Sequence, residues 1–251
     1  MTDRIVIFLH IPKAAGSTLN RVIAQNYPPA AILKVGGKTD AALRDALTSE
    51  VRLIAGHRRF GMHAQLSRPF TYITVLRDPV ERVLSQYHFV KRLAEHPLHR
   101  AVASGELSLR DYGRQTPDSQ TRYLAGSNTD DAGLLEQAQA NLVTHFAVAG
   151  LTERFDETVV LLQRALGWRV RPFTNSNVSA GRPKSAGHSR EDLDAIRECN
   201  RLDLALYDFA RERFERQIAE QGAGFRAAVA WLRLKNRAAG LLTLRPWKEA
   251  R

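Results

Sequence analysis

A chain of 251 residues with 44% hydrophobic side chains holds enough apolar material for one sizeable α/β core and leaves little length for a second domain. A formal net charge of +11 points to a negatively charged partner, whether nucleotide phosphate, sulfated glycan, nucleic acid or anionic lipid, without choosing among them. Cys199 is the only cysteine, which excludes an internal disulfide and zinc sites built from several thiolates. No stretch is apolar for long enough to span a bilayer, and Met1 leads almost directly into a short apolar run with no leader-like segment. The expectation from these features is a cytoplasmic protein.

In chain order, Arg4 to Leu9 is nearly all apolar, as a strand buried on both faces requires. A loop from Ile11 to Gly16 leads into a helix that starts near Ser17 and ends before Pro28 and Pro29. The pattern then predicts a helix from Thr39 to Ser49, a strand from Val51 to Ala55 and a strand from Phe70 to Leu76. Asp78 as N-cap and Pro79 in the first turn open the next helix. Between Ala94 and Asn128, Pro97, Gly105, Gly113, Pro117 and Gly126 break the helical signal into short pieces suited to shaping a substrate site. A helix from Asp131 to Val143, a strand from Phe146 to Leu151 and a helix from Phe155 to Leu166 continue the alternation. The whole reads as α/β: a single domain whose P-loop-like parallel sheet is flanked by crossover helices.

Residues 169–188 read as a long functional loop. Ser189 caps a helix whose apolar positions Leu193, Ile196, Cys199, Leu202, Leu206 and Phe209 keep the helical period, so Cys199 is expected to be a small core residue. The chain divides into a main domain, 1–224, and a basic tail, 225–251, in which Trp231, Leu234 and Trp247 stand among lysines and arginines. Such a tail either rests on an anionic membrane or packs as a terminal helix on the core.

The segment His10-Ile11-Pro12-Lys13-Ala14-Ala15-Gly16-Ser17-Thr18 lies between a strand and a helix, where small residues let the backbone wrap an anion and free N–H groups face it. Lys13 adds a point charge, and Ser17 and Thr18 add hydroxyls. In nucleoside-triphosphatase loops the lysine follows the final glycine, whereas Lys13 precedes Gly16, which argues against ATP or GTP chemistry. Arg77 sits just outside the carboxyl end of a predicted parallel strand, where ligands of such sheets bind, and its guanidinium is a group able to fork onto an anion.

With these two turns in view, the chain resembles the carbohydrate sulfotransferases, in particular the branch that contains heparan sulfate 2-O-sulfotransferase and its bacterial relatives. The resemblance implies the sulfotransferase fold and the donor 3′-phosphoadenosine-5′-phosphosulfate (PAPS), leaving adenosine 3′,5′-bisphosphate (PAP), with no metal. It implies that Pro12, Lys13, Ala14, Ala15, Gly16, Ser17 and Thr18 hold the 5′-phosphosulfate, and that Arg77 and Ser85 hold the 3′-phosphate. Arg182 and Lys184 resemble a basic loop that closes over the nucleotide. Gly56-His57 resembles the glycine-histidine pair in which histidine is the base, and histidine as a residue type exchanges protons near neutral pH. His57 and Lys13 are thus the catalytic pair, with His63 and His10 as alternative bases, and Arg58, His63, Gln120 and Arg122 are candidates for the acceptor side.

The expected partner is a carbohydrate or glycoconjugate acceptor and not a nucleic acid, because the basic residues are interspersed with acidic ones and no recognition motif stands out. A P-loop kinase and a basic nucleic-acid- or membrane-binding module are the competing readings.

Overall fold

The computed structural model describes residues 4–36, 40–127, 132–173 and 185–243. Strands β1 (Ile5–Leu9), β2 (Ile32–Lys34), β3 (Leu53–Gly56), β4 (Phe70–Leu76) and β5 (Phe146–Leu151) form one all-parallel sheet in the order β2-β3-β1-β4-β5. The all-apolar sequence of β1 follows from that position, since a central strand covered on both faces has nowhere to place a polar side chain, and all five of its residues are buried. β1 pairs with β3 so that Leu9 stands beside Gly56, and with β4 so that Phe8 stands beside Ile73. The Thr74 hydroxyl donates to the Leu9 carbonyl at 2.8 Å, pinning the carboxyl end of β1 to β4.

Helices α1 (Gly16–Ala24), α2 (Asp40–Asp45), α3 (Pro79–Arg92), α4 (His99–Ser104), α5 (Leu109–Gln115), α6 (Ser119–Ala125), α7 (Leu134–His145) and α8 (Phe155–Leu166) connect or cover the strands. α9 (Arg190–Cys199), α10 (Arg201–Ala219) and α11 (Gly224–Thr243) follow. The main core is the sheet with α1, α7, α8, α10 and α11, while a second cluster of Val80, Val83, Leu84, Val102, Tyr112 and Ile196 joins α3, α4, α5 and α9. The start of α3 is as its sequence dictates: Asp78 accepts the Glu81 N–H at 2.9 Å and Pro79 occupies the first turn.

Several expectations shift. β2 is not foreseen, because two half-buried residues and an exposed lysine after two prolines are too few to show a period. α2 ends four residues before Ser49. The single helix expected after Ser189 breaks at Asn200, whose fully buried side chain donates to the Ile196 carbonyl at 2.8 Å and accepts the Asp118 N–H at 3.2 Å. Cys199, beside that break, is half-buried instead of sitting in the core. α11 places Phe225, Val229 and Leu232 in the main core and leaves Trp231 and Leu234 exposed. Among the described residues no helix is long and apolar enough to cross a membrane.

Candidate active site

The sheet order explains why residues far apart in sequence meet. β1 lies between β3 and β4, so the carboxyl ends of these three strands release the 10–18 loop, His57 and Arg77 side by side, at the kind of edge where open parallel sheets bind ligands.

In the 10–18 loop the backbone is left-handed at Lys13 (φ 66°) and Ala15 (φ 56°), a conformation that costs a non-glycine residue about 1–2 kcal/mol. That curvature is the arrangement in which successive N–H groups turn toward one anion, and the nine-residue α1 adds its positive end. Gly16 is required for a separate reason: a Cβ there would lie 1.6 Å from Nε2 of His10, whose ring fills the space under the loop. Ser17 is exposed beside the loop and Thr18 is buried. The Lys13 ammonium lies 4.1 Å from the centre of the Phe89 ring, a cation–π contact with α3.

Arg77 joins the two expected phosphate sites. One guanidinium nitrogen donates to the Lys13 carbonyl at 3.1 Å, and another lies 3.6 Å from the Glu81 carboxylate. Its backbone is held at both ends by Gln120, whose Oε1 accepts the Arg77 N–H at 3.0 Å and whose Nε2 donates to the Arg77 carbonyl at 2.9 Å. Ser85 is on α3, about two turns in, and half-buried.

His57 is exposed at the end of β3, and its Nδ1 lies 2.8 Å from the His10 carbonyl oxygen. A carbonyl only accepts, so Nδ1 carries a hydrogen, and in the neutral form of the ring the lone pair is on Nε2. The two imidazole rings are 4.0 Å apart, and the His10 ring also stacks on Phe8 at 5.1 Å. Burial, with His57 beside it, lowers the pKa of His10 to about 3, so His10 is a neutral neighbour to the proposed base.

The acceptor-side candidates separate. His63 is a correction. Its ring stacks on Phe70, which begins β4, and on His145, just before β5, and its Nδ1 meets the Tyr72 hydroxyl at 3.1 Å. It therefore sits at the amino edge of the sheet, roughly 20 Å along a seven-residue strand from the edge that carries Arg77. Gln120 is a second correction, since a side chain with 0% exposure that is committed to the Arg77 backbone offers nothing to an acceptor. Arg58 is ion-paired with Asp40. Arg122, half-buried, donates from Nε to the Pro117 carbonyl at 3.1 Å. Arg182 and Lys184 lie outside the described residues. The segment that follows them returns to α3, where the Ser185 N–H donates to Glu81 at 3.1 Å and His188 faces His88 at 3.3 Å.

Sequence reasoning missed two carboxylates that build this edge. Glu153 accepts the Asp78 N–H at 3.1 Å and the Tyr207 hydroxyl at 2.8 Å, and burial, followed by the Glu153 charge, raises the Tyr207 pKa. Asp203, fully buried, accepts the N–H groups of Gln120 and Thr121 and the Thr121 hydroxyl, and lies 3.9 Å from the buried Arg82. Neither has a local signal, because each looks like an ordinary helix carboxylate until the partner helix is known.

The chain is 28% identical to mouse heparan-sulfate 6-O-sulfotransferase 2, over 84% of its own length and 44% of that protein. It is also 28% identical to human heparan-sulfate 6-O-sulfotransferase 1, over 86% of its length and 66% of the relative. The chain thus spans about half to two-thirds of the curated relatives it matches. A solved structure of mouse sulfotransferase SULT7A1 complexed with PAP aligns with a TM-score of 0.40 and 13% identity, covering 79% of this chain and 64% of that one. The two heparan-sulfate relatives are named for 6-O and not 2-O sulfation, and what they share with the expected 2-O branch is carbohydrate sulfation. The sequence model of the galactose-3-O-sulfotransferase family matches residues 39–245, most of the chain, and the protein therefore belongs to that family of carbohydrate sulfotransferases.

Proposed function

We propose that this chain transfers a sulfuryl group from PAPS to a hydroxyl of a carbohydrate or glycoconjugate acceptor. The observation that carries the reading is the direct link between the two expected phosphate turns, the Arg77 guanidinium on the Lys13 carbonyl, at the same sheet edge as an exposed histidine. The 10–18 loop receives the 5′-phosphosulfate, with Lys13 at the phosphate oxygen from which the sulfuryl group departs. Arg77 and Ser85 receive the 3′-phosphate. The acceptor hydroxyl attacks sulfur in line, its oxygen forms the new S–O bond, the bond from sulfur to the phosphate oxygen breaks, and the hydroxyl proton passes to Nε2 of His57. The products are a sulfate ester and PAP. Charge grows on the leaving oxygen during transfer, so Lys13 contributes more in the transition state than to the bound donor.

The test is calorimetry with PAP and a sulfate-transfer screen with labelled donor across a glycan panel. The expected result is PAP binding by the wild type, turnover lost in both Lys13→Ala and His57→Ala, and PAP affinity better preserved in the second. Folded protein that ignores PAP would overturn the donor assignment, and near-normal turnover by His57→Ala would remove His57 as the base.

A further inference from the structure

Helix α6 was expected to face the acceptor, yet its first buried side chain turns to the donor side. Gln120 is fully buried, and its one carboxamide meets both main-chain polar groups of Arg77, accepting the N–H at 3.0 Å and donating to the carbonyl at 2.9 Å. A planar amide that bonds both groups restricts the torsions on either side of the Arg77 Cα, and so the direction in which the guanidinium leaves the strand end. The carboxamide of glutamine supplies an acceptor and a donor in one plane without carrying charge, and asparagine is shorter by one methylene. The helix is itself anchored: Asp203 accepts the Gln120 N–H at 3.1 Å, the Thr121 N–H at 2.7 Å and the Thr121 hydroxyl at 2.8 Å. Its other end grips the segment that carries His57. The Tyr123 carbonyl accepts the Phe60 N–H at 2.9 Å, and a Cβ on Gly126 would come within 2.9 Å of the Phe60 carbonyl oxygen.

We propose that Gln120 is a positioning residue for donor recognition, aiming Arg77 at the 3′-phosphate, and that α6 is a strut joining that arginine to the segment bearing the base. The inference rests on the reading of Arg77 as a 3′-phosphate ligand.

The test compares PAP with adenosine 5′-monophosphate, which lacks the 3′-phosphate. Wild type binds PAP more tightly by about tenfold or more, the worth of a charge-assisted hydrogen bond or two. Gln120→Leu removes both contacts at similar volume, and Gln120→Glu keeps an acceptor and loses the donor. Each variant that folds, judged by circular dichroism, should lose most of the PAP preference while its affinity for the monophosphate stays within about twofold, and KM for PAPS should rise more than kcat falls. Equal weakening toward both nucleotides, or an unchanged ratio, overturns the inference. Absence of any PAP preference in the wild type instead overturns the donor assignment on which it rests. Hydrogen exchange on the wild type gives a reading that no variant's folding affects: PAP, and not the monophosphate, should slow exchange in residues 119–126. Equal protection by the two nucleotides counts against the strut.

Discussion

At the scale of single residues, His10 and His57 show how two neighbouring histidines are given different surroundings. The main-chain carbonyl of His10 fixes the hydrogen of His57 on Nδ1, while the His10 ring, wedged against Gly16, is too poorly solvated to charge. In the unfolded chain His10 titrates near 6.5, and in the folded protein near 3. The unfolded state therefore binds more protons across that window, so the stability this ring supports is full above pH ~6.5 and is lost as pH falls toward 3. A plot of melting temperature against pH should fall on the acid side, and His10→Gln should flatten that fall. An unchanged slope would show that other groups set the acid limb. Gly16→Ala, by contrast, drives a methyl into the His10 ring and should abolish PAP binding at every pH.

The sequence made some of these residues legible and hid others. The loop with Lys13 before Gly16, the Asp78-Pro79 cap and the strand-end position of Arg77 are local patterns, and local patterns survive in a string of letters. Gln120 drew attention, but toward the acceptor, because its partner is the backbone of a residue 43 positions away. His63, an alternative base and acceptor-side candidate in the sequence, lies six residues past His57, and with Gly61 at φ 117° the chain between them runs back along the sheet to its amino edge.

At the scale of elements, the 10–18 loop stores strain that its sequence could relieve. Ala15 precedes α1 with φ 56° and has no side-chain hydrogen bond to cap the helix, so Ala15→Gly is expected to stabilise the fold by about 1 kcal/mol while PAP binding persists. Urea denaturation measures it, and a loss of stability would mean that the methyl group's packing outweighs the torsion. At the head of α3, Asp78→Ala removes the side-chain acceptor of the Glu81 N–H and should cost about 1 kcal/mol. Strands β4 and β5 and helix α8 have the limits their alternation predicts, because long periodic segments buried against one partner leave a strong pattern. β2 and the break at Asn200 do not, since one is an edge of three residues and the other depends on a side chain reaching Asp118 on a different part of the fold.

At the scale of the molecule, the buried Asp203 ties α10 to α6 and, through Arg82, to α3, the three elements around the Arg77 edge. Asp203→Ala would leave Arg82, 3% exposed, without its counter-charge, at a cost of about 3–5 kcal/mol. A midpoint shift in urea of much less than that would mean water or another side chain takes over the carboxylate's role. α11 is equally integral, because Phe225, Val229 and Leu232 are each no more than 4% exposed. Deleting it uncovers α8 and should lower the melting temperature of the remainder. Surface pairs such as Arg110 with Glu191 and Arg114 with Asp111 cancel within themselves, so the net charge of +11 is the cationic excess that remains once every acid is matched.

The central place of β1 has a consequence during synthesis. Ile5–Leu9 precedes both of its neighbours in the chain, so during synthesis its β3 edge stays bare for about 45 residues and its β4 edge for about 65. Nascent chains arrested before Leu76 should be bound by holdase chaperones or self-associate through this pentapeptide, and chains released after β4 should not.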